Sequence, residues 1–477
     1  MDSGTRKYSI RVADLDKTEK EKPFSISSKI MELLKEFRTK GKLFKGENLY
    51  NSPNSSTSSS HQVFSADRIM KLAKAKLHLL KSEKKADFIS ILATDHFGPH
   101  QSSLPSEVSE DLELALLIQA SAEFLASGNF SGARRLLCLC DDESFKDGSP
   151  VQRVTYYFAK ALKERIEFEQ QFKSPSTIDG ENRKPAQDVV QILSLKPAYI
   201  AAQQECPFSL AAGCTAVQSI LDNVITQKKI HLIDFGINNG SHWTILMQAL
   251  ALQSETPLEL LKITAVGTLE EMMKEIGKRL SSFAKSLNIT FSFKIIVSDL
   301  KDLEEDSLDL ESDESVVIYM ALRGQLEGLM GLIKNLKPCL ILVREVEICT
   351  KFPGVLEQFN EALLFFSALF DCVKICLENQ FYRKLNEEHF LGENIRNIIT
   401  ANGSDRIYYD RIDGWRELFS RFNIVEAEFS PLSLCQASLL LKRSLQWSSC
   451  SLDMDGKCLI LSWNETRMFS LSAWKPL

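Results

Sequence analysis

The sequence predicts an α/β protein, a mostly parallel sheet flanked by helices with an all-helical segment before it, and three observations predict it. From about residue 226 onward, apolar runs of strand length alternate with helical periodicities. The stretch 66–225 reads as helix alone, and the first 65 residues lack the apolar content of either. The 477 residues therefore divide into a variable, largely disordered arm (1–65), a helical cap (66–225) and an α/β core (226–477).

The arm is rich in Lys, Glu and Ser and ends in NSPNSSTSSS, which cannot bury enough surface to offset its ordering entropy. One amphipathic helix, Ser25 to Leu34, is the element its spacing allows. Behind a Ser65 cap, Ile69, Leu72, Ala73, Leu77 and Leu80 recur at helical intervals with Asp67 in the first turn. Two helices divided by Gly128 follow over 109–140, and a third over 151–166. Here Leu112, Leu116, Leu117, Ala120, Phe124, Leu125, Leu136 and Leu137 exceed what one face of a helix pair can bury. The excess predicts an exposed surface for a partner.

In the core, strands are expected at 228–236, 262–267, 291–297, 315–322 and 339–347. Helices are expected at 241–252, 269–287, 352–373, 391–403 and 413–422. Short runs at 456–463 and 467–476, joined by Asn464-Glu465-Thr466, read as a terminal hairpin. Alternation on this scale means βαβ units, hence a Rossmann-like core.

Composition narrows the function. With 57 Lys and Arg against 63 Asp and Glu, the net charge of −6 disfavours a chain that neutralises many phosphates, so DNA contact is expected to be weak or indirect. No apolar run reaches the ~18 residues that span a bilayer and no signal-type stretch opens the chain, so an intracellular protein with no membrane partner is expected. Eleven scattered cysteines suit reduced thiols. The pairs Cys138/Cys140 and Cys372/Cys376 lack a second pair at zinc spacing, so no metal is expected.

One segment has the outline of cofactor chemistry. Asp234-x-Gly236-x-Asn238-x-Gly240 is similar to the D-x-G-x-G-x-G loop of S-adenosylmethionine-dependent methyltransferases, with Asn238 in place of the middle glycine. At the end of the second strand, where a carboxylate would hold the ribose, stands Val266-Gly267-Thr268, and Glu270 comes only later. Two readings follow: a small-ligand or methyltransferase-like site on Asp234, Gly236 and Gly240, or a βα turn that kept its shape without a cofactor. On the second, Asp234 accepts hydrogen bonds from the backbone of the turn; His231, inside the strand, is expected to be a satisfied core side chain, and His242, at a helix start after Gly240, to face a cleft. No catalytic constellation stands out, and a methyltransferase-type core without enzyme activity is expected.

The order of segments resembles the plant GRAS family, which includes the DELLA and Scarecrow-like regulators. Ile230-His231-Leu232-Ile233-Asp234 is similar to its VHIID motif, followed by Gly240-Ser241-His242-Trp243. Phe359 to Leu363 with Phe370-Asp371 and Gly392 to Asn397 is similar to its PFYRE region, and Trp463 with Ser472-Ala473-Trp474 to its SAW motif. Asp111 to Ala115 reads as helix, so no DELLA segment is expected. The resemblance implies a nuclear regulator of transcription, with the cytoplasm as a second location, that binds DNA-binding factors and other GRAS proteins through its leucine-rich helices, as homo- or heterodimers, and uses no cofactor.

Overall fold

The structure, a computed structural model, describes residues 65–82, 106–171, 189–252, 257–321, 327–400, 409–444 and 447–477. The helix expected at 25–34 and the rest of the arm lie outside the described residues.

Helices α1 (Ala66–Ser82), α2 (Ser106–Ala126), α3 (Phe130–Glu143), α4 (Pro150–Gln171), α5 (Val189–Glu205) and α6 (Pro207–Val224) precede the sheet. Gly128, at φ +77°, ends α2 in the left-handed region, and the Asn129 side chain accepts from Gly132 N–H to start α3. At α1 the cap differs from expectation. The Ser65 hydroxyl turns to Asp67 Oδ1 at 2.5 Å, and the Ala66 N–H is taken instead by Asp371 Oδ2 at 2.7 Å, a carboxylate 305 residues away. It places an acidic group at the positive end of the helix, as the helix dipole favours.

The sheet begins with β1 (Lys229–Phe235), then α7 (Ser241–Ala251), β2 (Leu260–Gly267), α8 (Glu270–Ser286), β3 (Phe291–Val297), β4 (Ser315–Met320), α9 (Met330–Asn335) and β5 (Leu340–Val346). Then come α10 (Val355–Cys376), α11 (Gln380–Asn386), α12 (Gly392–Thr400), α13 (Ile412–Ser420), β6 (Ile424–Ala427) and α14 (Pro431–Arg443). The chain closes with β7 (Cys450–Asp455), β8 (Cys458–Trp463) and β9 (Thr466–Pro476). The strand order is β3-β2-β1-β4-β5-β9-β8-β7, with β6 also paired to β9. The first five strands run parallel and the rest antiparallel, the Rossmann-like arrangement expected. Asn464 and Glu465 both have positive φ, the geometry of a tight hairpin turn between β8 and β9.

Side chains alternate along β1. Ile230 and Leu232 point into the larger core beneath the helical cap, whereas Ile233 and Phe235 join a smaller core with Met330, Ile333, Trp415 and Phe419 of α9 and α13. The cap is assembled from two separate stretches of the chain. Helix α10 packs on α1, α2 and α4, and α12 packs on α4. A buried ion pair from Arg153 Nε to Glu387 Oε2, 3.1 Å long, ties α4 to the turn before α12.

That assembly corrects the partner surface. Leu112, Leu116, Ala120, Leu125, Leu136 and Leu137 are all buried inside the chain, and Leu117 and Phe124 are half-buried against the same core. The exposed patch expected there does not form. A helix apolar on every side is a helix surrounded, and α2 is surrounded by α1, α3, α4 and α10. Its chain neighbour α3 covers only part of that surface, and α1, α4 and α10 cover the rest.

Candidate functional site

Strand β1 and the turn after it form the centre that the sequence singled out. His231 is fully buried, with Nδ1 3.0 Å from Glu314 Oε2 and Nε2 2.8 Å from Thr264 Oγ1. With Glu314 ionised, the ring donates from Nδ1 and accepts from the threonine hydroxyl. Lys262 Nζ lies 3.4 Å from the other Glu314 oxygen. Burial, seconded by Lys262, lowers the imidazole pKa against the opposing pull of Glu314. His231 is thus the satisfied core side chain expected, on the face away from the cap.

Asp234 differs from its expectation. Its Oδ2 accepts from the indole Nε1 of Trp243 at 2.7 Å and not from the backbone of the turn, while Oδ1 is buried with no hydrogen-bond partner among the described residues. Burial raises its carboxyl to about 7, and the indole bond opposes the rise only in part. The turn's backbone goes elsewhere: Gly236 N–H donates to Val266 C=O at 3.1 Å, which locks the turn to β2. Gly236 and Gly240 hold positive φ of 86° and 62°. A Cβ on Gly240 would come within 3.0 Å of Ile276 Cγ2, so the glycine serves close packing against α8.

Asn238, at the middle-glycine position, accepts from the Tyr199 hydroxyl at 2.9 Å. Asn239 Oδ1 takes both the N–H and the hydroxyl of Ser241, at 2.9 and 2.8 Å, and so caps α7. Glu270 is half-exposed and pairs with Lys274. The SAW-like residues are buried: Trp463 packs edge-on to Phe208, and Trp474 stacks on Phe419 with its Nε1 bonded to Ser472 Oγ at 2.8 Å. Ala473 pairs with Leu342 in the sheet.

Beside the turn lies a cavity of about 420 Å³ between α5, α6, the start of α7, and α8, with Arg344 of β5 at its wall. His242 lines it, as expected of a residue facing a cleft. Asp234, Gly236 and Gly240 do not, so the three residues of the cofactor reading are not the walls of this space. Arg344 was missed, although a basic residue inside the apolar run of β5 is a visible anomaly.

Residues 114–475 match the GRAS domain family. The chain belongs to this family. It is 26% identical to DELLA protein GAIP of Cucurbita maxima over 416 residues, 83% of this chain and 69% of that one. With DELLA protein RGA of Arabidopsis thaliana it shares 26% over 380 residues, 76% of this chain but only 62% of that relative. The crystal structure of SCL7 in Oryza sativa has the same fold, with a TM-score of 0.66 at 25% identity across 76% of this chain and 99% of that one. GRAS and DELLA proteins are plant regulators of transcription that act through protein interactions. The family resemblance and the Rossmann-like fold are therefore both upheld.

Proposed function

We propose that this GRAS protein works in the nucleus as a coregulator, docking on DNA-binding transcription factors and on other GRAS proteins, and that its methyltransferase-like core performs no methyl transfer. The family match across 114–475 carries the regulatory reading. The acidic balance of the chain supports contact with DNA through partners and not directly. Among the described residues, no helix is long and apolar enough to cross a membrane.

The geometry of the β1 turn supports the non-enzymatic part. Asp234 is bonded to Trp243, Gly240 packs against Ile276, and Val266-Gly267-Thr268 stands at the end of β2 where a ribose-binding carboxylate would sit, with Glu270 two residues further on in a surface pair with Lys274. With the leucines of α2 and α3 buried in the cap, this reading assigns the partner surface to other faces.

Affinity purification from plant nuclei followed by mass spectrometry tests the regulatory reading. Recovery of DNA-binding factors is the expected result, and a chain absent from nuclei would sink it. Titration calorimetry with S-adenosylmethionine tests the second part, with no heat of binding expected; a micromolar dissociation constant would restore the enzyme.

A further inference from the structure

The cavity beside the β1 turn has a charge pattern that the family reading does not use. Two arginines reach it, Arg344 from β5 and Arg279 from α8, and among the described residues no aspartate or glutamate lines it. Arg344 is half-buried, its guanidinium 3.0 Å from Ser209 Oγ and packed over the Phe469 ring at 5.6 Å. A cation drawn out of water among neutral groups, the hydroxyls of Ser209 and Tyr319 and the Phe469 ring, is costly to hold, and an anion at the open side of the cavity would offset that cost. Arg279 is exposed at the mouth, donates to the Asn239 carbonyl and has Glu275 one turn before it on α8.

His242 adds a neutral polar group to the same wall. Its Nε2 is buried without a hydrogen-bond partner among the described residues, and burial together with Arg344 depresses the ring to about 3, so it carries no charge at neutral pH. Leu210, Ile245 and Phe283 give the cavity an apolar side, next to the neutral amides of Gln203 and Gln204 and the hydroxyls of Thr244 and Ser282. The volume falls in the ~300–1,000 Å³ range of sites that take small organic molecules.

We propose that this cavity binds a small amphipathic organic anion, its carboxylate or other oxyanion head on the fork of Arg344 and its apolar body against Leu210, Ile245 and Phe283. The planar guanidinium matches a carboxylate with two parallel hydrogen bonds, which a neutral head cannot reproduce. Arg279 at the mouth steers the anion inward. This site differs from the cofactor reading of the turn, because Asp234, Gly236 and Gly240 contribute nothing to it.

The test uses the full chain and the fluorescent anion 8-anilino-1-naphthalenesulfonate, displaced in turn by decanoate and by 1-decanol, which share an apolar body and differ in charge. Saturable dye binding is expected, with decanoate displacing it at concentrations about tenfold or more below decanol. Arg344→Gln should bring the two displacers to within about twofold, with unchanged thermal melting. Arg279→Gln should weaken decanoate by a smaller factor. Dye that does not saturate, or decanol as effective as decanoate on the unmodified chain, overturns the proposal. So does an Arg344→Gln protein that melts normally and still prefers decanoate. Should that variant fail to fold, the decanoate to decanol ratio on the unmodified chain decides alone.

Discussion

The two faces of β1 each bury a titratable side chain, three residues apart, and settle it in opposite ways. On the face away from the cap, both nitrogens of His231 are bonded, and Glu314 is shared between His231 and Lys262. On the cap face, Asp234 has the Trp243 indole on one oxygen and, among the described residues, no hydrogen-bond partner on the other. The first arrangement joins β1 to β2 through Thr264 and to the residue ahead of β4 through Glu314, so it fixes the register of three strands. The second leaves a carboxyl close to its neutral form, which makes stability depend on pH. A saturated polar cluster acts as a pin, whereas a half-satisfied one acts as a reservoir of proton affinity.

Breaking the pin should have the largest effect. His231→Ala strips Glu314 of one of its partners and leaves the Thr264 hydroxyl unpaired in a fully buried site, at a cost of about 3–5 kcal/mol. Urea unfolding measures it, and a loss under about 1 kcal/mol would mean the cluster does not fix the register. On the other face, Trp243→Phe keeps most of the ring and deletes the donor to Asp234. The expected loss is about 1–3 kcal/mol at pH 8, where the carboxyl is ionised, and clearly less at pH 5, where it is protonated. An equal loss at both pH values would show that packing, not the hydrogen bond, is what Trp243 contributes.

How far these features were legible follows from their range along the chain. The strand 291–297 was read residue for residue, because FSFKIIV is a β-rich run bounded by polar turns. The strands β6 and β7 were not read. Half of CSLDMD is polar and it forms an exposed edge, where no buried face imposes a pattern. The burial of His231 was legible, since a histidine inside an apolar strand must be satisfied, but its partners Thr264 and Glu314, 33 and 83 residues on, were not. Trp243 as the partner of Asp234 was within reach, as a strand-turn-helix unit brings such positions together. Asp371 at the start of α1 and α10 over α2 were not, since both depend on contacts hundreds of residues apart. The same blindness turned buried leucines into a supposed interface.

The smallest expected effect is also the sharpest test of the contrast, because its sign depends on pH. Asp234 has a folded pKa of about 7 against ~3.9 unfolded, so the native state keeps a proton that the unfolded chain sheds. Its contribution to stability is whole below about pH 4 and is lost as pH rises through 7. His231 has the opposite sign. Its folded pKa is lowered from ~6.5, so its contribution is whole above that value and is lost as pH falls below it. Between about pH 4 and 6.5 the two slopes oppose each other. Asp234→Asn keeps an oxygen for the Trp243 indole and removes the titration. The variant should match the unmodified chain within about 1 kcal/mol at pH 5 and exceed it by about 1–2 kcal/mol at pH 8, and its stability should climb more steeply between the two. Calorimetric melting of both chains from pH 5 to 8 provides the difference curve, in which titrations common to the two cancel. A flat difference would mean that Asp234 is ionised throughout and that water reaches its free oxygen.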